Sequence, residues 1–212
     1  MNKFSEYLKV RLKNDLPAKI SHIKMTPKIF QRSFRSLDAA ENARKSAVMI
    51  IMTNNSEPDI LFTLRSSNMR SHKGQISFPG GRLDEGESPL DAAKRETHEE
   101  IGLNPGLLDV AGSLSPLFVP PSNNLIIPYV GFLDNYPNFK LSIDEVEETF
   151  SVNIRHFTDS QNLKITKEIL EGYEVDIPFW DVGKKTRLWG ATSMILQELI
   201  DIYNDWTNAN QV

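Results

Sequence analysis

The chain has 212 residues, 40% hydrophobic and 25% charged, with a net charge of −4 and no cysteine. That composition fits a globular protein made of one large domain, or of one domain with an extension. It excludes disulfides, thiolate catalysis and cysteine zinc sites, and the mild acidity argues against bulk nucleic-acid binding, which leaves a basic excess.

In chain order, "MNKFSEYLKVRLKNDLP" at the N-terminus lacks the continuous apolar core of a signal peptide. Phe4, Leu8 and Leu12 recur every fourth residue, the mark of a short amphipathic helix. Residues 1–45 read as a polar, helical N-terminal extension broken by Pro17 and Pro27, with "LDAAENARKSA" rich in helix formers. The character then changes. "AVMIIM", 47–52, is an apolar run of buried-strand length, "NNSEPD" is turn chemistry, and "ILFTLR", 60–65, reads as the returning strand of a hairpin. "QISF", 75–78, is a further strand, stopped by Pro79-Gly80-Gly81.

A helix is predicted over 89–101. Ser88 is its N-cap, Pro89 occupies the first helical position, Asp91 suits the positive end of the dipole, and Gly102 stops it. Strands follow near 107–115, 125–133, 146–154, 163–169 and 173–180. The last helix, 190–206, carries Met194, Leu196, Leu199, Ile200 and Tyr203 as its apolar stripe. Strands interleaved with a few helices predict a mixed sheet covered by helices on its faces. No apolar run approaches the ~18–20 residues that cross a bilayer, so a cytoplasmic protein with no membrane partner is expected.

The helix at 89–101 carries the chemistry. At about 100° per residue, Leu90, Ala93, Thr97 and Ile101 form its buried face, and Glu96, Glu99 and Glu100 fall on an adjoining arc. Like charges at helical spacing cost roughly 0.2–0.5 kcal/mol per pair, so something must offset them. A solvated charged face is the bland explanation. A divalent cation is the sharp one: carboxylates without cysteine, and with histidines scattered at 22, 72, 98 and 156, suit Mg²⁺ or Mn²⁺ rather than zinc. Mg²⁺ held by a few acids completes its shell with phosphates, which points to a phosphate-bearing substrate. "GKKT", 183–186, lacks the upstream glycine of a phosphate loop, and "HEEIG" lacks the second histidine of a zinc protease helix.

From Gly81 the chain reads "GRLDEGESPLDAAKRETHEEIGL", which resembles the Nudix box, the signature of the Nudix hydrolases. Every charged and glycine position of the pattern is filled. Thr97 alone departs, where a bulky aliphatic residue is usual. The resemblance implies an α/β/α sandwich with a mixed β-sheet, the box forming a loop–helix–loop within a Nudix domain over 46–206. It implies hydrolysis of a nucleoside diphosphate linked to another group, with Mg²⁺ or Mn²⁺ held by Glu96, Glu99 and Glu100 and by the Gly80 carbonyl. Glu87 and Arg95 match residues that orient the catalytic glutamates. The general base is left open among Glu99, Glu100 and the acids of "DEVEE", Glu145, Glu147 and Glu148.

The preceding segment, "LFTLRSSNMRSHKGQISFPGG", is similar to that of the coenzyme A pyrophosphatase subgroup, and the similarity continues through "PYVGFL", "EVEETFSVNI" and "LWGATSMIL". It implies cleavage of coenzyme A to 4′-phosphopantetheine and adenosine 3′,5′-bisphosphate. Arg65, Arg70 and Lys73 are the candidate phosphate contacts, and Phe118, Trp180 and Trp189 are candidates for stacking on adenine, with core packing as their alternative role. A small-molecule substrate is expected and no nucleic-acid partner; a homodimer is the oligomer considered. Two other readings stay open: a Nudix hydrolase for ADP-ribose or another nucleoside diphosphate derivative, and an inactive Nudix-like binding module.

Overall fold

The structure is a computed structural model that describes residues 3–29, 32–33, 38–39, 42–69, 72–170 and 172–210. In chain order the helices are α1 (Lys3–Arg11), α2 (Lys19–His22), α3 (Pro89–Ile101) and α4 (Gly190–Ala209). The strands are β1 (Lys28–Ile29), β2 (Arg32–Ser33), β3 (Arg44–Thr53), β4 (Asp59–Arg65), β5 (Ile76–Ser77), β6 (Gly80–Arg82), β7 (Asp109–Ser113), β8 (Leu117–Val119), β9 (Asn124–Leu133), β10 (Val146–Asn153), β11 (Leu163–Leu170) and β12 (Tyr173–Trp180).

The larger sheet runs β10-β4-β3-β9-β7, with β5 on β4, β6 on β3 and β8 on β9. Its axis is β3, paired in parallel with β9 from Arg44↔Asn124 to Thr53↔Leu133. The alternation of a strand sends successive β3 side chains to opposite faces. Ala47, Met49 and Ile51 pack with Ala92, Ala93 and Ile101 of α3. Ile50 and Met52 pack with Leu196, Leu199 and Ile200 of α4. Helices on both faces of a mixed sheet make the α/β/α sandwich that the sequence implied. A second sheet, β11-β12-β1-β2, lies apart from this path.

The expected hairpin between 47–52 and 60–65 is nearly absent: β3 and β4 pair only at Met52↔Ile60. Beyond that point they fork, and residues 76–82 fill the gap. β5 bonds to β4 through Thr63↔Ser77 and Leu64↔Ile76, and β6 bonds to β3 through Val48↔Gly80, Ala47↔Gly81 and Ser46↔Arg82. Both strands' backbone groups are satisfied by the inserted segment instead of by each other. The fork thus brings Gly80 and Gly81 into the sheet beside Glu100 and Glu96 in the second half of the acidic helix.

The helical reading of "LDAAENARKSA" is corrected at its end, where Arg44 already begins β3. Tertiary pairing with β9 outweighs local helix propensity there. The N-terminal residues also form short strands, β1 and β2, besides helices. Their helix α1 is no surface ornament: Phe4 and Leu8 are fully buried with Tyr203 and Ile202 of α4. The stripe expected on α4 is buried as read, but Ser193, Gln197 and Glu198 are buried as well, because the N-terminal segment covers that second face. Glu198 accepts bonds from the Ala18 N–H at 2.8 Å, the Ser115 N–H at 3.0 Å and the Ser115 hydroxyl at 2.6 Å, and His22 Nε2 lies 3.4 Å away.

Candidate active site

Helix α3 forms where its caps place it. The Ser88 hydroxyl accepts from the Asp91 N–H at 3.2 Å, and Gly102 closes the last turn at φ 69° with its N–H on the His98 carbonyl. The Thr97 departure has a local explanation. Its hydroxyl, fully buried, donates to the Ala93 carbonyl one turn back at 2.6 Å, so no polar group is stranded against the core.

The three glutamates occupy three depths. Glu99 is exposed, Glu96 is half-buried and Glu100 is 2% exposed. Arg95 organises the first two. Its guanidinium donates to both oxygens of Glu87, at 2.9 and 3.0 Å, to Glu96 Oε1 at 3.0 Å, to Glu99 Oε2 at 3.1 Å and to the Arg82 carbonyl at 2.9 Å. Those bonds hold Glu87 below its ordinary pKa and raise Arg95 further. Glu96 lies against Gly81: a Cβ there would come within 2.3 Å of the carboxylate, so a side chain at 81 would displace Glu96 from this position. Burial raises the Glu96 pKa, Arg95 opposes that shift, and the nearby charges of Glu99 and Glu145 add to it.

Glu100 is the most perturbed acid. Burial pushes its pKa up to about 8, against the opposing pull of Arg65 and the Gly80 N–H and with help from Glu145 and Glu96. Its compensation is thin: the Gly80 N–H at 3.3 Å and Arg65 Nη1 at 3.6 Å. A buried carboxylate with so little support calls for a further cation.

Among the described residues no three acidic or histidine side chains converge closely enough to hold a metal as they stand. The wheel placed the carboxylates on one arc, and the helix does so, but Arg95 draws Glu96 and Glu99 toward itself. The donor set nevertheless fits a hard divalent cation. It offers carboxylate oxygen, one under-compensated buried acid and a glycine cradle beneath Glu96.

A cavity of about 690 Å³ opens on the sheet face opposite α3, and three of its lining residues, Arg65, Gly80 and Gly81, also touch Glu100 or Glu96. Arg65, His72, Gln75 and Ser77 from the segment before the box wall it, as do Gly80 and Gly81. Arg44, Ser46, Arg82 and Asn124 form one end. Ile76, Phe78, Trp189, Met194 and Ile195 form an apolar end. Although the chain is net acidic, no aspartate or glutamate lines this cavity among the described residues.

The placement of the sequence candidates is uneven. Arg65 lies in the cavity wall and reaches Glu100. Lys73 is exposed and outside that wall, and Arg70 lies outside the described residues. Of the aromatic candidates, Phe118 and Trp189 line the cavity, whereas Trp180 packs edge-on to Phe157 in the core. Of the "DEVEE" acids, Glu145 is electrostatically coupled to Glu96 and Glu100. Glu147 is the exposed extra residue of a bulge between Val146↔Arg65 and Glu148↔Leu64, and Glu148 pairs with Lys184 at 2.9 Å. Arg44 and Arg82 were not singled out in the sequence. Neither belongs to a basic cluster there, and only the pairing of β3 with β6 brings them to one face.

Comparison with known proteins adds four findings. The NUDIX domain family matches residues 43–166. An uncharacterized Nudix hydrolase, NudL, of Enterobacter sp. (strain 638) is 35% identical over 167 residues, 74% of this chain and 82% of the relative. The mitochondrial coenzyme A diphosphatase NUDT8 of Mus musculus is 33% identical over 145 residues, 66% of this chain and 68% of that one. Among solved structures, a Nudix hydrolase from M. smegmatis, RenU, superposes with a TM-score of 0.51 at 15% identity, covering 80% of this chain and 96% of its own. No helix among the described residues is long and apolar enough to cross a membrane.

Proposed function

The chain belongs to the Nudix hydrolases, metal-requiring enzymes that act on diphosphate anhydride bonds, and from that premise we propose that it cleaves the diphosphate of coenzyme A or its derivatives. The products are 4′-phosphopantetheine and adenosine 3′,5′-bisphosphate. The observation that carries this reading is the acid-free cavity walled by Arg65, His72 and Gln75, in which Arg65 also lies 3.6 Å from the buried Glu100. Those wall residues come from the segment that resembles the coenzyme A pyrophosphatase subgroup. The name of the mouse relative is consistent with the same substrate.

Glu96, Glu99 and Glu100, with the Gly80 carbonyl, are the residues to hold Mg²⁺ or Mn²⁺. The chemistry supplied by that ion when bound is neutralisation of phosphate oxygens and acidification of a water. Glu87 anchors Arg95 through two bonds, and Arg95 in turn sets the positions of Glu96 and Glu99. Arg65 faces both Glu100 and the cavity, so it can orient the buried acid and meet a substrate phosphate with the same guanidinium. Glu99, Glu100 and Glu145 remain the candidates to take the proton from water. Glu147 and Glu148 are set aside, one as an exposed bulge residue and the other held by Lys184.

Incubation with coenzyme A and Mg²⁺ or Mn²⁺, followed by chromatography of the products, tests the reading. Adenosine 3′,5′-bisphosphate is expected from the wild type and not from the double variant Glu99→Gln/Glu100→Gln. ADP-ribose turned over much faster than coenzyme A would overturn the choice of substrate.

A further inference from the structure

Successive residues of β6 serve two sites. Gly81 pairs with Ala47 and faces α3, where it cradles Glu96. Arg82 pairs with Ser46 and faces the other way, into the cavity. On β3, Arg44 is two residues from Ser46 and therefore on the same face, and it too lines the cavity. Arg44 and Arg82 are thus diagonal neighbours across a strand pair, a spacing of about 7–8 Å that long side chains bridge readily.

Two guanidinium groups so placed repel one another unless an anion sits between them. Among the described residues neither has an acidic partner: the bond recorded for the Arg44 side chain is to the Ser122 carbonyl at 2.5 Å, and the Arg82 carbonyl, not its side chain, is engaged by Arg95. Both are exposed at the cavity mouth, so an arriving ligand meets them with little rearrangement. Ser46 and Asn124 stand between them and the apolar end, joined by an Asn124 Nδ2 to Ser46 Oγ bond of 2.8 Å. Arg65 stands elsewhere in the wall, 3.6 Å from Glu100. The cavity therefore has two cationic positions on different strands, Arg65 on β4 beside Glu100 and the pair Arg44 and Arg82 on β3 and β6.

The geometry points to Arg44 and Arg82 as a second anion subsite, which takes a phosphate monoester on the nucleoside ribose while the diphosphate lies at the acidic centre. This rests on the coenzyme A reading: that substrate carries both groups, and a form lacking the 3′-phosphate carries only one. The pair is then a specificity determinant, distinguishing coenzyme A from 3′-dephospho-coenzyme A and from ADP-ribose. Guanidinium suits the role, since its planar fork matches two phosphate oxygens at once.

The test has two arms. In the first, kcat/KM is measured for coenzyme A and for 3′-dephospho-coenzyme A with wild type, Arg44→Gln, Arg82→Gln and the Arg→Lys variants. The wild-type preference for coenzyme A should fall about tenfold in each Gln variant, through KM rather than kcat, and recover in part with Lys. An equal loss on both substrates, or no change in their ratio, overturns the subsite. In the second arm, titration calorimetry compares adenosine 3′,5′-bisphosphate with AMP. The wild type should bind the bisphosphate at least tenfold more tightly, and Arg44→Gln should abolish the difference; equal affinities in the wild type overturn the subsite. Bisphosphate binding through Arg44 without any turnover of coenzyme A would uphold the subsite while removing the proposed function, so the two failures are separable.

Discussion

Glu100 shows how one residue trades stability for chemistry. Its native pKa, pushed up to about 8 by burial, lies above the value of 4.5 expected in the unfolded chain. Between those limits the native state of the metal-free protein binds the extra proton, so stability falls as pH rises through that window. Glu100→Gln removes the ionisable group. The metal-free variant should therefore melt higher than wild type at pH 8 and about equally at pH 4.5, while its hydrolytic rate drops by about a hundredfold or more. A thermal shift series from pH 4.5 to 8 beside an activity assay checks both signs. Part of this residue's importance was legible in the sequence, where its place in the acidic arc was plain. Its depth was not, because a helical wheel gives direction and says nothing of which neighbours close over a side chain.

At the scale of elements, the ends of α3 were readable because caps are local. Ser88 and Gly102 act through bonds within a few residues of themselves. Ser88→Ala is expected to cost about 1 kcal/mol. Gly102→Ala should cost more, since φ 69° disfavours a side chain and the new Cβ would sit 2.9 Å from the Lys140 backbone carbonyl. Each kcal/mol corresponds to a melting shift of about 2–4 °C in a chain of this size, which calorimetry resolves. The hairpin between β3 and β4 was misread for the opposite reason. Apolar runs separated by a turn predict two neighbouring strands, yet the pairing was decided by a third segment, residues 76–82, entering between them.

The docking of the N-terminal segment on α4 belongs to the same scale. Burial pushes the Glu198 pKa up, but the neighbouring His22 and the bonds from Ser115 and the Ala18 N–H outweigh it and leave the value lowered. A depressed carboxylate stabilises the native state above its unfolded pKa of 4.5, and that contribution is lost as pH falls through the lower native value. Glu198→Ala would leave His22 and the Ala18 N–H buried without their partner. It should cost about 3–5 kcal/mol near neutral pH, and less at strongly acid pH, where the wild type has already lost the benefit. Chemical denaturation at pH 7 and pH 3 measures the difference.

For the whole molecule, the extension and the catalytic domain share one core. Deleting residues 1–25 removes the fully buried Phe4 and Leu8, each worth about 1.5–3 kcal/mol of apolar burial, and exposes the Glu198 face of α4. Loss of cooperative unfolding is expected, checked by scanning calorimetry; a truncated chain that melts like the full one would show the segment to be dispensable. The capped acidic helix, the apolar stripe of the last helix and the family resemblance were determined by the sequence alone, because hydrophobic period, caps and motif spacing act within a few turns of chain. Three things waited for the tertiary structure: the fork that seats Gly80 and Gly81, the nearness of Glu145 to the charges of Glu96 and Glu100, and the placement of Arg44 and Arg82 on one cavity wall. Each depends on which strand lies beside which, and that is settled by burial and backbone pairing between residues far apart in the chain.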